Sequence, residues 1–288
     1  MSRSVAGMEI ASRVGSAVGC AVTEVTDLGS SHGWRLARMR LADGRAVFVK
    51  HTAAHGPVLA AESTGLRWLA EGDAELPVPV LADGEGLLVL PWLSAAAPSA
   101  EAAERFGRGL ARLHTSGAEW FGAPWQGWIA ELPQDNTRSS GPWSSWFAER
   151  RVVPYLRRAA GVLGAEGVRV VEQVVDRIEV LGGPAEPPSR IHGDLWSGNV
   201  VWTAEGARVI DPAAHGGHRE SDLAMLALFG APYLDRILGA YQEVAPLAEG
   251  WRARVPVHQL APLLVHVVLF GGSYRGQVIA AARAALAG

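Results

Sequence analysis

Three oxygen-bearing side chains fall close together in one stretch of this sequence: Asp194, Asn199 and Asp211, between Arg190 and Pro212. Val200 to Trp202 and Ala207 to Ile210 read as two short strands turning about Glu205-Gly206. Paired positions across such a hairpin sum to about 410, so Asn199 and Asp211 are expected to meet at its open end, roughly 5 Å apart between Cα atoms. A carboxylate and an amide oxygen suit a hard divalent cation such as magnesium, which takes its other ligands from water and phosphate. Asp194 lies on the incoming loop, where Gly193 and Gly198 permit tight bends. Left free of metal, it can accept or orient a hydroxyl proton.

A second group comes from composition. Lysine and arginine together number 26, and Lys50 is the only lysine. The two serve equally as surface solubilisers, but a site that needs a compact ammonium does not accept the planar guanidinium, which singles out Lys50. It closes the strand Val47-Phe48-Val49-Lys50, and Glu62 follows on the next helix. That spacing matches the lysine–glutamate pair that positions ATP phosphates in protein kinases, where a base Asp, a metal-binding Asn and a second metal-binding Asp complete the apparatus. Gly29 and Gly33 flank a hairpin tip whose backbone N–H groups could cover phosphates. Leu88 to Leu93, with Leu90 and Trp92, is the stretch expected to pair with adenine.

The elements that must hold these residues divide the chain. Residues 8–19 have helical spacing, and Ala21 to Leu28, Trp34 to Leu41 and Ala46 to Lys50 form an expected antiparallel meander. A helix from Pro57 to Ala70 precedes a hairpin, Val80 to Ala82 with Leu87 to Leu90, completing five strands. After an alanine-rich linker, Glu101 to His114 is helical, as are stretches beginning at Pro142, Val168, Asp222, Tyr233, His258 and Arg275. The expected fold is α+β and bilobal, protein kinase-like: residues 1–91 an ATP-binding lobe with a five-stranded antiparallel sheet, residues 92–288 a larger, mainly α-helical catalytic and substrate-binding lobe.

A net charge of −3 and a pI near 6.3 supply no basic excess for nucleic acid. The lone cysteine, Cys20, can form no internal disulfide and suits a reducing cytoplasm. The apolar run Val257 to Gly271 is shorter than the roughly 20 residues of a span and reads as a core helix, so no membrane partner is expected.

These residues resemble the fructosamine kinase (ketosamine kinase) family, a branch of the aminoglycoside phosphotransferase-like fold, over nearly the whole chain. The resemblance is carried by His192-Gly-Asp-Leu-Trp-Ser-Gly-Asn199, by Ile210-Asp-Pro-Ala-Ala-His-Gly-Gly-His-Arg-Glu-Ser-Asp-Leu-Ala-Met225, by the Pro133-Gln-Asp-Asn136 loop and by Trp143-Ser-Ser-Trp-Phe147 leading to Arg150-Arg151. It departs at His215-Gly216, where the family usually has tyrosines or other aromatics. The resemblance implies Asp194 as base, Asn199 and Asp211 as magnesium ligands, Lys50 and Glu62 as the phosphate-positioning pair, and Trp196 against the sugar. His215 and His218 are further candidate substrate contacts, His218 reading equally well as part of a solvated turn. The implied reaction moves the ATP γ-phosphate to the 3-hydroxyl of a small-molecule or protein-bound ketosamine, in a cytoplasmic monomer. An aminoglycoside kinase uses the same parts, but residues 212–288 hold five acids against six arginines, without the acidic bias a polycation would favour.

Overall fold

Helix α1 (Val5–Val18) precedes an antiparallel sheet of β1 (Val22–Ser31), β2 (Trp34–Leu41), β3 (Ala46–His51), β4 (Ala82–Gly84) and β5 (Leu87–Pro91), ordered β1-β2-β3-β5-β4. The computed structural model describes residues 5–288; the first four residues of the expected first lobe lie outside the described residues. Successive side chains on a strand point to opposite faces, and here the two faces meet different partners. Val47, Val49, Leu87 and Val89 pack with Ile10 and Val14 of α1. Leu88 and Leu90 pack with Val58, Leu59 and Leu66 of α2 (Gly56–Gly72), and Phe48 joins them. The same alternation turns Lys50 toward α2, where Glu62 is buried. The expected five-stranded sheet is present, with its fourth strand two residues later than the sequence suggested.

Helix α3 (Ala100–Thr115) is capped by Ser99, whose Oγ accepts the Ala102 N–H at 3.2 Å. Its inward face, Phe106, Leu110 and Leu113, shares a core with Leu69 and Leu76 from the first ninety residues and with Leu195, Val200 and Val209. A hairpin absent from the sequence reading, β6 (Gly127–Ile129) and β7 (Leu132–Gln134), comes next. Helix α4 (Trp143–Phe147) then passes through a π turn, Ala148–Val152, into α5 (Val153–Asp176) and a short α6 (Ile178–Leu181). Gly164, at φ 70°, interrupts α5 just before Val168, where the second of two expected helices was to begin.

Strands β8 (Ser189–Ile191) and β11 (His215–Gly217) pair antiparallel and frame the hairpin β9 (Val200–Trp202) and β10 (Ala207–Val209). Helices α7 (Arg219–Leu228), α8 (Leu234–Val244), α9 (Trp251–Phe270) and α10 (Arg275–Ala287) complete the chain. Helix α7 starts three residues earlier than expected because His218 caps it, its Nδ1 accepting the Glu220 N–H at 3.2 Å. Helix α9 accommodates Pro256 and Pro262 and begins well before His258. By length and composition the stretch Trp251–Ala287 could cross a membrane. Val257, Leu260, Leu264 and Val267 of α9 are instead buried in one core with residues of α5 and α10.

Candidate active site

Lys50 donates to both carboxylate oxygens of Glu62, each at 2.9 Å, and to Asp211 Oδ1 at 2.6 Å. Burial alone would discourage its charge, but Asp211 and Glu62 outweigh that and hold the ammonium above its ordinary pKa. An ammonium with three donors can serve three oxygens around one point, which a planar guanidinium cannot.

The loop carrying Asp194 hangs from Asp222. The Asp222 carboxylate accepts the His192 N–H at 2.7 Å and the Gly193 N–H at 2.9 Å, and lies 3.1 Å from His114 Nε2. His114 Nδ1 in turn lies 2.9 Å from the Tyr241 hydroxyl. Burial works against the Asp222 charge, but these donors prevail and its pKa is lowered. At Gly193 the backbone takes φ 80°, and a Cβ there would come within 2.4 Å of Ala213 O, so the turn admits only glycine. Asp194 beyond it has its pKa pushed well above the usual carboxylate range, first by burial and then by Asp211.

In the β9–β10 hairpin Trp202 faces Ala207 and Val200 faces Val209, a register one short of that expected from the sequence. Ile210, rather than Asp211, therefore lies opposite Asn199, donating to Asn199 O at 3.0 Å. Asp211 follows at φ 55°, which turns its side chain back toward Lys50. Asn199 Nδ2 donates to Asp194 O at 2.8 Å and to Asp194 Oδ2 at 3.1 Å, which leaves the oxygen end of the amide as a ligand. The Asp211 side chain stays 42% exposed. An amide oxygen beside a partly exposed carboxylate, without thiolate or imidazole, is the donor set of a hard cation such as magnesium.

Two cavities meet here. One lies between the sheet and the hairpin and is lined by Phe48, Lys50, Glu62, Asn199, Ile210 and Asp211. The other runs into the helical half and is walled by Trp143, Trp146, Arg151, His215, His218 and Met225. Asp194 and Trp196 line both. A carboxylate thus stands on the boundary between a chamber lined by an ammonium, carboxylates and an amide and an aromatic chamber able to hold a small organic molecule.

The fructosamine kinase family profile matches residues 11–287. The chain belongs to the fructosamine kinase family. It is 35% identical over 249 residues to a probable ketoamine kinase of Thermus thermophilus, covering 85% of this chain and 87% of the relative. A ketoamine kinase relative from Synechocystis is 34% identical, with 82% of each chain covered. A crystal structure assigned as a fructosamine-3-kinase from Thermobifida fusca superposes with a TM-score of 0.94 at 52% identity, over 100% of both chains. A type I macrolide 2′-phosphotransferase, 16% identical, aligns with a TM-score of 0.62 over 99% of this chain and 98% of that one, which shows the shared kinase-like fold. As a fructosamine kinase family member, the protein is a kinase that phosphorylates a hydroxyl of a sugar–amine compound.

Within this family member, the residues expected from the sequence are not equally near the cavities. Trp196 is 40% exposed, and its ring lies over Gly198, where a Cβ would come within 2.2 Å of it. His215 and His218 wall the aromatic cavity, and burial lowers both to a pKa of about 3. The departure at Gly216 has a steric cause: a Cβ there would meet Trp120 O at 1.9 Å, because Gly216 pairs with Gly122 beside it. Gly29 and Gly33 take φ 93° and 85° in the β1–β2 hairpin, but it is His32 at the tip that lines both cavities. Leu90 is core, and Trp92 gives its N–H to Ala46 O at 3.0 Å. Neither is among the residues lining these two cavities. The sequence reading missed Phe48 and the β6–β7 hairpin with Trp128. Arg151, one of two consecutive arginines at the end of the motif that begins at Trp143, is buried.

Proposed function

We propose that this protein transfers the γ-phosphoryl group of ATP to the 3-hydroxyl of a ketosamine, with residues 1–91 as the ATP-binding lobe and 92–288 as the catalytic and acceptor lobe. The position of Asp194 on the boundary of the two cavities carries this reading. Asp194 takes the proton of the acceptor hydroxyl, and Asn199 keeps its carboxylate aimed. Lys50, oriented by Glu62, holds donor phosphates, and Asp222 keeps the loop under Asp194 in place. Asn199 and Asp211 would hold magnesium, which when bound neutralises phosphate charge. Trp196 offers a face to the sugar, and the aromatic walls beyond it exclude water. Most of the rate enhancement then comes from positioning and electrostatics. A ketosamine phosphorylated at the 3-position is unstable and releases its amine, which makes the activity a deglycation.

A polycationic aminoglycoside fits the acceptor cavity less well, because a buried arginine stands in its wall. The test is magnesium-dependent ADP release with ketosamines and, separately, a set of aminoglycosides. Turnover of the ketosamines with phosphate on the 3-oxygen is expected. Turnover of aminoglycosides alone would reject the proposal.

A further inference from the structure

Arg151 sits in the π turn between α4 and α5 and is 4% exposed. Its neighbour Arg150 donates to Asp135 Oδ2 at 2.7 Å, while Arg151 turns inward and lines the acceptor cavity. π turns that interrupt helices are frequent at functional sites. The acceptors around its guanidinium are uncharged: Asp135 O and Asn136 Oδ1, each at 2.6 Å, and Arg150 O at 3.2 Å. Its buried Nε has no partner among the described residues. One face is covered by Trp146, 4.3 Å from the guanidinium carbon.

The rest of the cavity does not supply the missing anion. Of the carboxylates that line it, Asp222 is engaged by His192, Gly193 and His114 and Asp194 serves the reaction, while the nearby Asp135, outside the lining, is engaged by Arg150. His215 and His218 in its walls are held neutral by burial. A buried cation satisfied only by neutral oxygens carries a desolvation cost that an anionic ligand would offset. The same burial lowers the Arg151 pKa to about 9. A guanidinium is also the side chain best shaped for a carboxylate.

We infer that Arg151 forms an anion-recognising subsite in the acceptor cavity, selecting ketosamines whose amine component carries a carboxylate, as adducts of α-amino acids do. The inference rests on the kinase reading above and goes further by naming the substrate class.

The test compares two nearly isosteric substrates, the ketosamine of glycine and that of glycinamide, by kcat/KM in the wild type and in Arg151→Gln and Arg151→Lys. The wild type is expected to favour the glycine adduct by about tenfold or more, the scale of one charge-assisted hydrogen bond. Arg151→Gln should bring that ratio close to one, and Arg151→Lys should restore part of it. Comparable wild-type rates on both adducts would overturn the subsite while leaving the kinase reading intact. Turnover of neither adduct would instead contradict the kinase reading. A preference for glycine that survives in Arg151→Gln would place the recognition elsewhere and also overturn the inference.

Discussion

Lys50 Nζ lies 2.6 Å from Asp211 Oδ1, joining β3 to the end of the β9–β10 hairpin across 161 positions of sequence. The contact ties the proposed phosphate-positioning lysine to a proposed metal ligand. Lys50→Met is expected to lower kcat/KM at least about a hundredfold. It should also destabilise the fold by about 3–5 kcal/mol, because Glu62 is left buried without its cation. Lys50→Arg should not rescue turnover, since a guanidinium does not reproduce three donors at one point. Urea melts and ADP release read the two effects separately.

Asp222 holds the loop from below by two backbone N–H groups. Asp222→Asn would set an amide N–H₂ against at least one of those donors. A loss of about 2–3 kcal/mol in stability is expected. A fall in kcat with little change in the KM for ATP should accompany it, because the residue acts on the position of Asp194. Steady-state kinetics with ATP varied at saturating acceptor check this.

Gly198 allows Trp196 to lie flat across the loop, and a Cβ would come within 2.2 Å of the ring. Gly198→Ala should therefore displace Trp196 and raise the KM for the ketosamine several-fold. Trp196→Ala should raise it about tenfold, the scale of one lost stacking surface. If the two substitutions combine without further loss, they act through one contact.

Much of this site could be read in the chain because its parts are local. Lys50 and Glu62 are set by one strand and one helix, and Asn199 and Asp211 by one hairpin. Even there the register was misjudged by one residue, because the strands pair at 202 with 207 and the sum of positions is 409. What escaped the sequence depends on distant packing. Arg151 resembles any surface arginine until the π turn rotates it inward. That the Trp92 N–H closes onto Ala46 depends on sheet pairing that its own stretch does not reveal. The pairing of β8 with β11, 24 or more positions apart, leaves no periodic trace in either three-residue strand.

Acidity should weaken the fold earlier than carboxylate protonation alone would. His215 and His218 are lowered by burial to about 3, against about 6.5 when unfolded. Below pH 6.5 the unfolded chain binds protons that the folded chain refuses, so stability is full above that pH and declines as the pH falls toward 3. Well below 6.5 each contributes a slope of roughly 1.4 kcal/mol per pH unit. Urea unfolding at pH 7.5, 6.0 and 5.0 should show this decline, and His215→Gln should flatten it.

The central measurement is single-turnover phosphoryl transfer from ATP to a ketosamine in the wild type, Asp194→Asn and Asp194→Glu, with ATP binding measured alongside. Loss of transfer by about a hundredfold or more in Asp194→Asn, with ATP still bound at wild-type affinity, is the expected result. Transfer at the wild-type rate in folded Asp194→Asn would contradict the assignment of Asp194 as the base between the two cavities.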